Sequence, residues 1–272
     1  MISPPEEKVQ LRIHGAPGPP TLIYLPGLHG DWTLVGAFRR AFLEQPSGAR
    51  AAKPGTATRP GARFVDLCYP RTLEWSLEDY AAGIERALAE QGITRGWLLG
   101  ESFGSQVLWA LVARERFQID GIILAGGFVR HPAQWGVRVA ERVTGGVSLT
   151  LLTRILFGYA KIARFRYRHA PEVLTGIREF IQRRTELDRQ AAKHRLHLIA
   201  GSDPRAVAAR TRVPVYGLTG VLDPIVPWCC VRPWLRRNCP SLRDYRVLWH
   251  ADHNVLGTAP DAAAEWVAKW IA

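Results

Sequence analysis

The sequence lacks the features that mark membrane-spanning and exported chains. No apolar run reaches the ~18 residues that a membrane-spanning helix requires. The stretch MISPPEEKVQLRIHG at the N-terminus carries prolines and two glutamates, and it has no apolar core of the kind found in secretory signals. We therefore expect a cytoplasmic protein.

Cysteine is scarce and shows no metal-ligand spacing. The four cysteines are Cys68, Cys229, Cys230 and Cys239, and none of them forms a CxxC pair. This placement favours reduced, structural thiols over a disulfide framework or a metal site. We expect them to behave as small buried apolar side chains.

Acidic residues are too few to balance the basic ones, and the net charge is +12. Such a charge invites a nucleic-acid hypothesis, but no RNP-like, KH-like or zinc-finger pattern accompanies it. Most of the charge falls within residues 130–195. We expect an Arg-rich solvated surface and no nucleic-acid partner. Peripheral contact with an anionic membrane surface through this segment, or attraction of an anionic acyl substrate, is the alternative.

What the chain does contain is an alternation of apolar strands and helical segments. Gln45–Arg63, rich in Pro, Gly, Ala and Arg, is predicted to be a surface loop. The alternation predicts an α/β fold with a mostly parallel central sheet and helices on both faces. The predicted strands cover residues 9–15, 21–27, 63–70, 94–100, 119–128, 213–220 and 244–250, and the predicted helices cover 31–44, 76–92, 105–117, 227–238 and 259–272.

The pattern changes between residues 129 and 205, where helical segments follow one another without a strand. We interpret this segment as a helical cap, or lid, inserted into the connectivity of the sheet. Residues 1–128 and 206–272 then form the α/β core. The length of 272 residues accommodates such a core with a cap.

The stretch Gly100-Glu101-Ser102-Phe103-Gly104 places a serine between two glycines. A GxSxG sequence arises by chance in roughly one such chain in ten at ordinary Gly and Ser frequencies. Its surroundings make it more specific, because the predicted strand Trp97–Leu99 precedes it and a predicted helix follows from Gln106. A serine at such an elbow projects its hydroxyl above the carboxyl edge of the sheet, where open α/β sheets bind ligands.

A serine hydroxyl needs a base to take its proton before it becomes a good nucleophile. Asp223 follows the strand at 213–220, and His253 follows the strand at 244–250, so both lie in loops at the carboxyl ends of late strands. Ser102, Asp223 and His253 also occur in the chain order that such an elbow requires. The rivals are Asp203, which precedes its strand, and His250.

The elbow GESFG, the acid loop GVLDPIVP and the histidine loop ADHN together resemble the α/β-hydrolase superfamily, in its capped serine esterase/lipase-like branch. The resemblance covers nearly the whole chain. It implies that Ser102 is the nucleophile, that His253 acts as general base and then as acid, and that Asp223 orients and stabilises the imidazolium. It implies no metal and no organic cofactor.

The resemblance also implies an oxyanion hole made of two backbone N–H groups. One belongs to Phe103, the residue after the nucleophile. Many relatives carry His-Gly-X after the second strand, and aligning Pro26-Gly27 with His-Gly makes Leu28 the second donor. A backbone donor does not depend on its own side chain, so the departure from the family's His does not argue against activity.

Three further residues are candidate substrate contacts. Leu156 and Tyr159 belong to an apolar stripe at helical spacing within the predicted cap. We expect that stripe to cover the active site while the basic residues on the opposite side of the same helix point into water; these are Arg154, Lys161, Arg164 and Arg168. His29, next to the predicted oxyanion donor, is the third candidate, with loop ordering as its alternative role. An apolar cap favours an apolar acyl or ring substrate.

These observations predict a serine hydrolase that cleaves a carboxylic ester or thioester through an acyl-enzyme. The same residues are compatible with hydrolysis of an amide or a carbon–carbon bond. A non-catalytic or receptor-like ligand-binding protein is the alternative from another class, because fold does not fix function. The oligomeric state does not follow from the sequence.

Overall fold

The computed structural model describes residues 8–16, 20–44, 62–146 and 184–272 of the chain. Within these ranges, seven strands form one sheet. The strands are β1 (Gln10–Gly15), β2 (Thr21–Leu25), β3 (Arg63–Cys68), β4 (Arg95–Glu101), β5 (Gln118–Ala125), β6 (Val215–Gly220) and β7 (Leu242–Leu248).

The strand order is β1-β3-β2-β4-β5-β6-β7, which places β4 at the centre of the sheet. β1 runs antiparallel to β3, and every other neighbouring pair is parallel. The predicted mostly parallel sheet is therefore confirmed. Because the strands from β2 to β7 all point the same way, the loops that follow them meet along one edge.

Helices cover both faces of the sheet, as the alternation predicts. Apolar side chains of α2 (Leu77–Glu90), α3 (Gly104–Arg114) and α7 (Trp228–Asn238) pack in the cluster on one face, and those of α1 (Gly36–Glu44) and α9 (Pro260–Ile271) pack on the other. No helix in the described ranges is long and apolar enough to cross a bilayer. The described helices are α1 (Gly36–Glu44), α2 (Leu77–Glu90), α3 (Gly104–Arg114), α4 (Gln134–Gly146), α5 (Glu186–Gly201), α6 (Arg205–Arg210), α7 (Trp228–Asn238), α8 (Val255–Thr258) and α9 (Pro260–Ile271).

The first helix begins later than the sequence predicts. We expect a helix from residue 31, but α1 starts at Gly36. The Oδ1 atom of Asp31 accepts a hydrogen bond from the N–H of Thr33 at 2.9 Å. Such a bond offers the backbone a turn in place of a helix, and this competition explains the late start.

The cysteines depart in part from their expected burial. Cys239 is buried and Cys68 is half-buried, whereas Cys229 and Cys230 are exposed at the start of α7. The expectation of small buried apolar side chains is therefore wrong for this exposed pair. α7 is amphipathic, and the residues that it buries are Val231 and Leu235.

Between β5 and β6 the described chain consists of helices and loops. α4 and α5 pack against each other, and α6 precedes β6. Residues 147–183 of this segment lie outside the described ranges, together with most of the predicted loop at 45–63. The cap over residues 129–205, and the domain boundaries drawn from it, stay a prediction.

Candidate active site

The turn between β4 and α3 holds Ser102 in an unusual backbone conformation. Ser102 has φ of 48°, in the left-handed region that residues other than glycine rarely adopt. Gly104 allows this sharp turn, because a Cβ atom there would lie 2.2 Å from the carbonyl oxygen of Leu25 in the neighbouring strand. The predicted strand–elbow–helix arrangement around the serine is present.

The side chain of Ser105 ties the elbow to the loop after β5. Its Oγ donates to the carbonyl oxygen of Ser102 at 2.6 Å and accepts from the N–H of Phe128 at 3.1 Å. The N–H of Ser102 donates to the carbonyl oxygen of Ala125 at 3.1 Å. The backbone of Ser102 is thus held from both sides by buried partners.

The structure brings Ser102, His253 and Asp223 into one hydrogen-bonded chain. The Nε2 atom of His253 lies 2.9 Å from Ser102 Oγ, and its Nδ1 atom lies 2.9 Å from Asp223 Oδ2. Asp223 is buried, and its other carboxylate oxygen accepts from the N–H groups of Ile225 and Val226 at 2.9 and 2.8 Å. These bonds fix the carboxylate so that it faces the imidazole.

Two opposing effects act on the pKa of His253. Burial disfavours the charged ring and would lower the pKa. The hydrogen bond that the ring donates to Asp223 and the charge of that carboxylate, with smaller effects from Glu101 and Asp252, outweigh burial, so the pKa lies above the ordinary value for histidine. The pair therefore stabilises an imidazolium, which is the state that forms when the ring accepts a proton from a serine.

The loop after β2 forms a tight turn beside the elbow. The N–H of Gly30 donates to the carbonyl oxygen of Gly27 at 3.0 Å, which makes Leu28 and His29 the central residues of a four-residue turn. Within the described ranges, the N–H groups of Leu28 and Phe103 have no acceptor. These are the two N–H groups that the sequence predicts as oxyanion donors.

The ring of His29 points to Tyr24 and Glu101, beneath the elbow. Its Nε2 atom lies 3.4 Å from Tyr24 Oη and 3.9 Å from the Oε2 atom of Glu101. Tyr24 in turn donates its hydroxyl to Glu101 Oε2. Burial lowers the pKa of His29 and so favours the neutral ring. These contacts favour the loop-ordering role, and the substrate-binding role stays a prediction.

The remaining predicted residues divide into those that the structure describes and those that it does not. Leu156 and Tyr159 lie outside the described residues. Asp203, the alternative to Asp223, lies in the loop before α6 and pairs with Arg205, the first residue of that helix. His250, the alternative to His253, is exposed. In the described part of the chain, no group of three or more His, Cys, Asp or Glu side chains is placed to hold a metal ion.

Sequence reasoning missed two buried basic side chains near the site. His131 accepts a hydrogen bond from the N–H of Ala133 at its Nδ1 atom, at 3.1 Å, and burial lowers its pKa. The residue also interacts with the backbone of Ile225 in the acid loop. Arg195, in α5, is 2% exposed, whereas the basic residues expected to point into water, Arg154, Lys161, Arg164 and Arg168, lie outside the described residues. No local pattern marks His131 or Arg195, because each is buried by contacts with distant loops.

Comparison with known proteins gives structural neighbours without close sequence relatives. No protein-family model matches the sequence, and no curated protein sequence matches it. The chain is similar in structure to an esterase from Exiguobacterium antarcticum, with a TM-score of 0.75, 14% identity, and 97% of this chain and 96% of that chain covered.

Two further solved structures show the same likeness. A thermophilic esterase from Thermogutta terrifontis gives a TM-score of 0.71 at 20% identity, with 96% of this chain and 92% of that chain covered. An enol-lactonase from Burkholderia xenovorans gives 0.73 at 17% identity, with 96% and 95% covered. Together with the sheet order, these likenesses show that the chain has the α/β-hydrolase fold.

Proposed function

Starting from an α/β-hydrolase fold with a serine at its elbow, we propose that this protein is a serine hydrolase that cleaves carboxylic esters or thioesters. The observation that carries the proposal is the hydrogen-bonded chain from Ser102 through His253 to Asp223, with 2.9 Å at each link. This geometry lets one imidazole nitrogen take the hydroxyl proton while the carboxylate holds the other.

In the proposed reaction, Ser102 Oγ attacks the carbonyl carbon and His253 Nε2 takes the hydroxyl proton. The negative charge that develops on the carbonyl oxygen is stabilised by the N–H groups of Leu28 and Phe103. The tetrahedral intermediate then expels the alcohol or thiol, which receives the proton from His253. This step leaves the acyl group on Ser102.

Water completes the cycle. His253 removes a proton from a water molecule, and the resulting hydroxide attacks the acyl carbon. The second tetrahedral intermediate collapses, Ser102 Oγ regains its proton from His253, and the carboxylic acid leaves. Asp223 stays ionised throughout and stabilises the imidazolium in both halves of the reaction.

We further propose that the helical segment at residues 129–205 covers the site as a cap. Contacts of α5 with loops at the carboxyl edge of the sheet support this. Arg71, in the loop after β3, pairs with Asp188 of α5 at 2.7 Å, and His194 of α5 lies 2.8 Å from the carbonyl oxygen of Trp75. The structural neighbours named as esterases make a small-molecule ester the first substrate class to test.

The test is hydrolysis of a p-nitrophenyl ester series from acetyl to long-chain acyl groups. Wild-type protein is compared with Ser102→Ala and with the matched control Ser202→Ala, at the end of α5. We expect kcat to fall by about 10⁴-fold or more in Ser102→Ala and to be unchanged in the control. A fluorophosphonate probe should label Ser102 in the wild type. If the wild type shows neither turnover nor labelling, the proposal is overturned and a ligand-binding protein is favoured.

A further inference from the structure

Arg195 of α5 is buried, and in the described part of the chain its guanidinium hydrogen bonds go to two carbonyl oxygens rather than to a carboxylate. Its Nη1 donates to the carbonyl oxygen of Leu28 at 2.9 Å, and its Nη2 donates to that of Pro70 at 3.2 Å. The guanidinium carbon lies 5.7 Å from the ring centre of Tyr69. Burying a charge against neutral groups is unfavourable, so a residue kept in this state invites a functional explanation.

Gly30 provides the space that this guanidinium occupies. A Cβ atom at Gly30 would lie 2.3 Å from Arg195 Nη1 and 2.5 Å from its guanidinium carbon. Gly30 also has φ of +79°, which other residues rarely adopt. Because Gly30, the last residue of the turn, has no side chain, the guanidinium can pack directly against its backbone.

A second arginine holds the next carbonyl of the same turn. Arg184, just before α5, donates from Nη1 to the carbonyl oxygen of His29 at 3.2 Å. Its Nη2 pairs with Asp31 Oδ2 at 3.0 Å. The two central carbonyls of the turn, those of Leu28 and His29, are thus each bound by a guanidinium from the segment between β5 and β6.

The planarity of the peptide bond links these contacts to the N–H of Leu28. That N–H and the carbonyl of Gly27 belong to one trans peptide and point in opposite directions. The carbonyl of Gly27 is fixed by the N–H of Gly30, and the Arg195 bond fixes the following peptide plane through Leu28 O. With the planes on both sides of its Cα held, Leu28 has little freedom to turn its N–H away.

We infer that Arg195 and Arg184 are positioning residues that preorganise the oxyanion hole by holding the turn Gly27–Gly30 through its carbonyl oxygens. The inference rests on the proposed hydrolase function and goes beyond it. It assigns part of the positive charge of the segment to catalysis rather than to a solvated surface. It also couples this helical segment to transition-state stabilisation, because movement of α5 would release the turn.

Arginine suits this task better than lysine. Its planar fork places two donors at fixed angles, and in Arg195 they bond two carbonyl oxygens from different loops, those of Leu28 and Pro70. A lysine presents one ammonium group on a flexible stem. Arg195→Lys is therefore expected to keep the charge but to hold the turn less rigidly.

The first experiment compares wild type, Arg195→Ala, Arg195→Lys and Arg184→Lys on a p-nitrophenyl ester. Arg205→Lys, in an exposed pair with Asp203, is the matched control. Rates are divided by the concentration of sites that a fluorophosphonate labels, so that misfolded protein does not count. We expect kcat to fall about 10²-fold in Arg195→Ala, the effect of a misplacement near 1 Å, with KM changed less than about threefold. Both lysine variants should show smaller losses, and the control none.

Two further readouts separate positioning from a structural role. Added guanidinium ion should restore part of the kcat of Arg195→Ala but leave Arg205→Lys unchanged. Affinity for a boronic acid, which places a negatively charged oxygen in the oxyanion hole, should fall by the same factor as kcat/KM. Affinity for a neutral alcohol of the same chain length should not change.

The outcomes distinguish this inference from the function on which it rests. A wild type that neither turns over esters nor reacts with the fluorophosphonate overturns both. If the wild type hydrolyses esters and reacts with the fluorophosphonate, and if Arg195→Lys and Arg195→Ala have the same kcat per labelled site as the wild type, only the inference is overturned. A loss that appears in KM alone, or boronic acid affinity that stays at the wild-type level, also overturns it. If Arg195→Ala does not fold, the lysine variants and the boronic acid comparison decide.

Discussion

The Nε2 atom of His253 lies 2.9 Å from the Oγ atom of Ser102, although 151 positions separate the two residues in the chain. Ser102 follows β4 and His253 follows β7, and both strands run in the same direction in the sheet. The loops after parallel strands collect at one edge, so residues that are remote in sequence become neighbours there.

The raised pKa of His253 predicts the acidic limb of the pH–rate profile. In the proposed reaction the neutral ring is the base, so kcat/KM should fall as the pH drops through the pKa of His253, which lies above the ordinary value of about 6.5. Asp223→Asn removes the charge that raises this pKa. NMR titration of the imidazole should therefore show protonation at lower pH in the variant, and an unchanged midpoint would contradict the assigned cause.

Ser102 stores backbone strain at its φ of 48°. Glycine adopts this conformation without steric cost, whereas alanine retains the strain. Ser102→Gly should therefore have a free energy of unfolding about 1 kcal/mol higher than Ser102→Ala, and both variants should be inactive. Urea denaturation of the pair provides the comparison. Equal stabilities would show that the elbow is not strained at this residue.

Gly104 cannot accept a side chain without moving β2. An alanine there would place Cβ 2.2 Å from the carbonyl oxygen of Leu25, so Gly104→Ala should lower the free energy of unfolding by about 1–3 kcal/mol or more. The control is Gly201→Ala, because a Cβ atom at Gly201 would meet nothing within 4 Å. A Gly104→Ala variant as stable as this control would mean that the elbow and β2 separate easily.

Tyr24 satisfies a buried carboxylate beneath the elbow. Its hydroxyl donates to Glu101 Oε2, and both residues are buried. Tyr24→Phe deprives the carboxylate of this donor, so we expect a loss of about 1–3 kcal/mol in the free energy of unfolding. Tyr216→Phe, on a half-buried tyrosine of β6, should change stability by no more than about 0.5 kcal/mol. A double-mutant cycle with Glu101→Gln measures the coupling, which would be near zero if the hydroxyl bonded elsewhere.

Local sequence patterns predict structure best where the backbone conformation depends on residues that are close in the chain. Ser76 and Asp79 form a capping box at the start of α2, in which the Ser76 hydroxyl accepts the N–H of Asp79 and the Asp79 carboxylate accepts the N–H of Ser76. The glycines around Ser102 predict the sharp elbow because steric contact with the next strand leaves no alternative. Helix boundaries are predicted less accurately, as the late start of α1 shows, because the hydrogen bond of a single side chain such as Asp31 can change the conformation of several residues.

The sequence by itself determined the alternation that builds the parallel sheet and the order in which the serine, aspartate and histidine loops follow their strands. Apolar periodicity and turn residues act over a few positions, so they can be recognised without the fold. Only the tertiary structure decided that His29 turns toward Tyr24 and Glu101 and that Arg195 is buried against the turn Gly27–Gly30. Burial of a polar side chain depends on partners from distant loops, and no local pattern encodes which partners will meet.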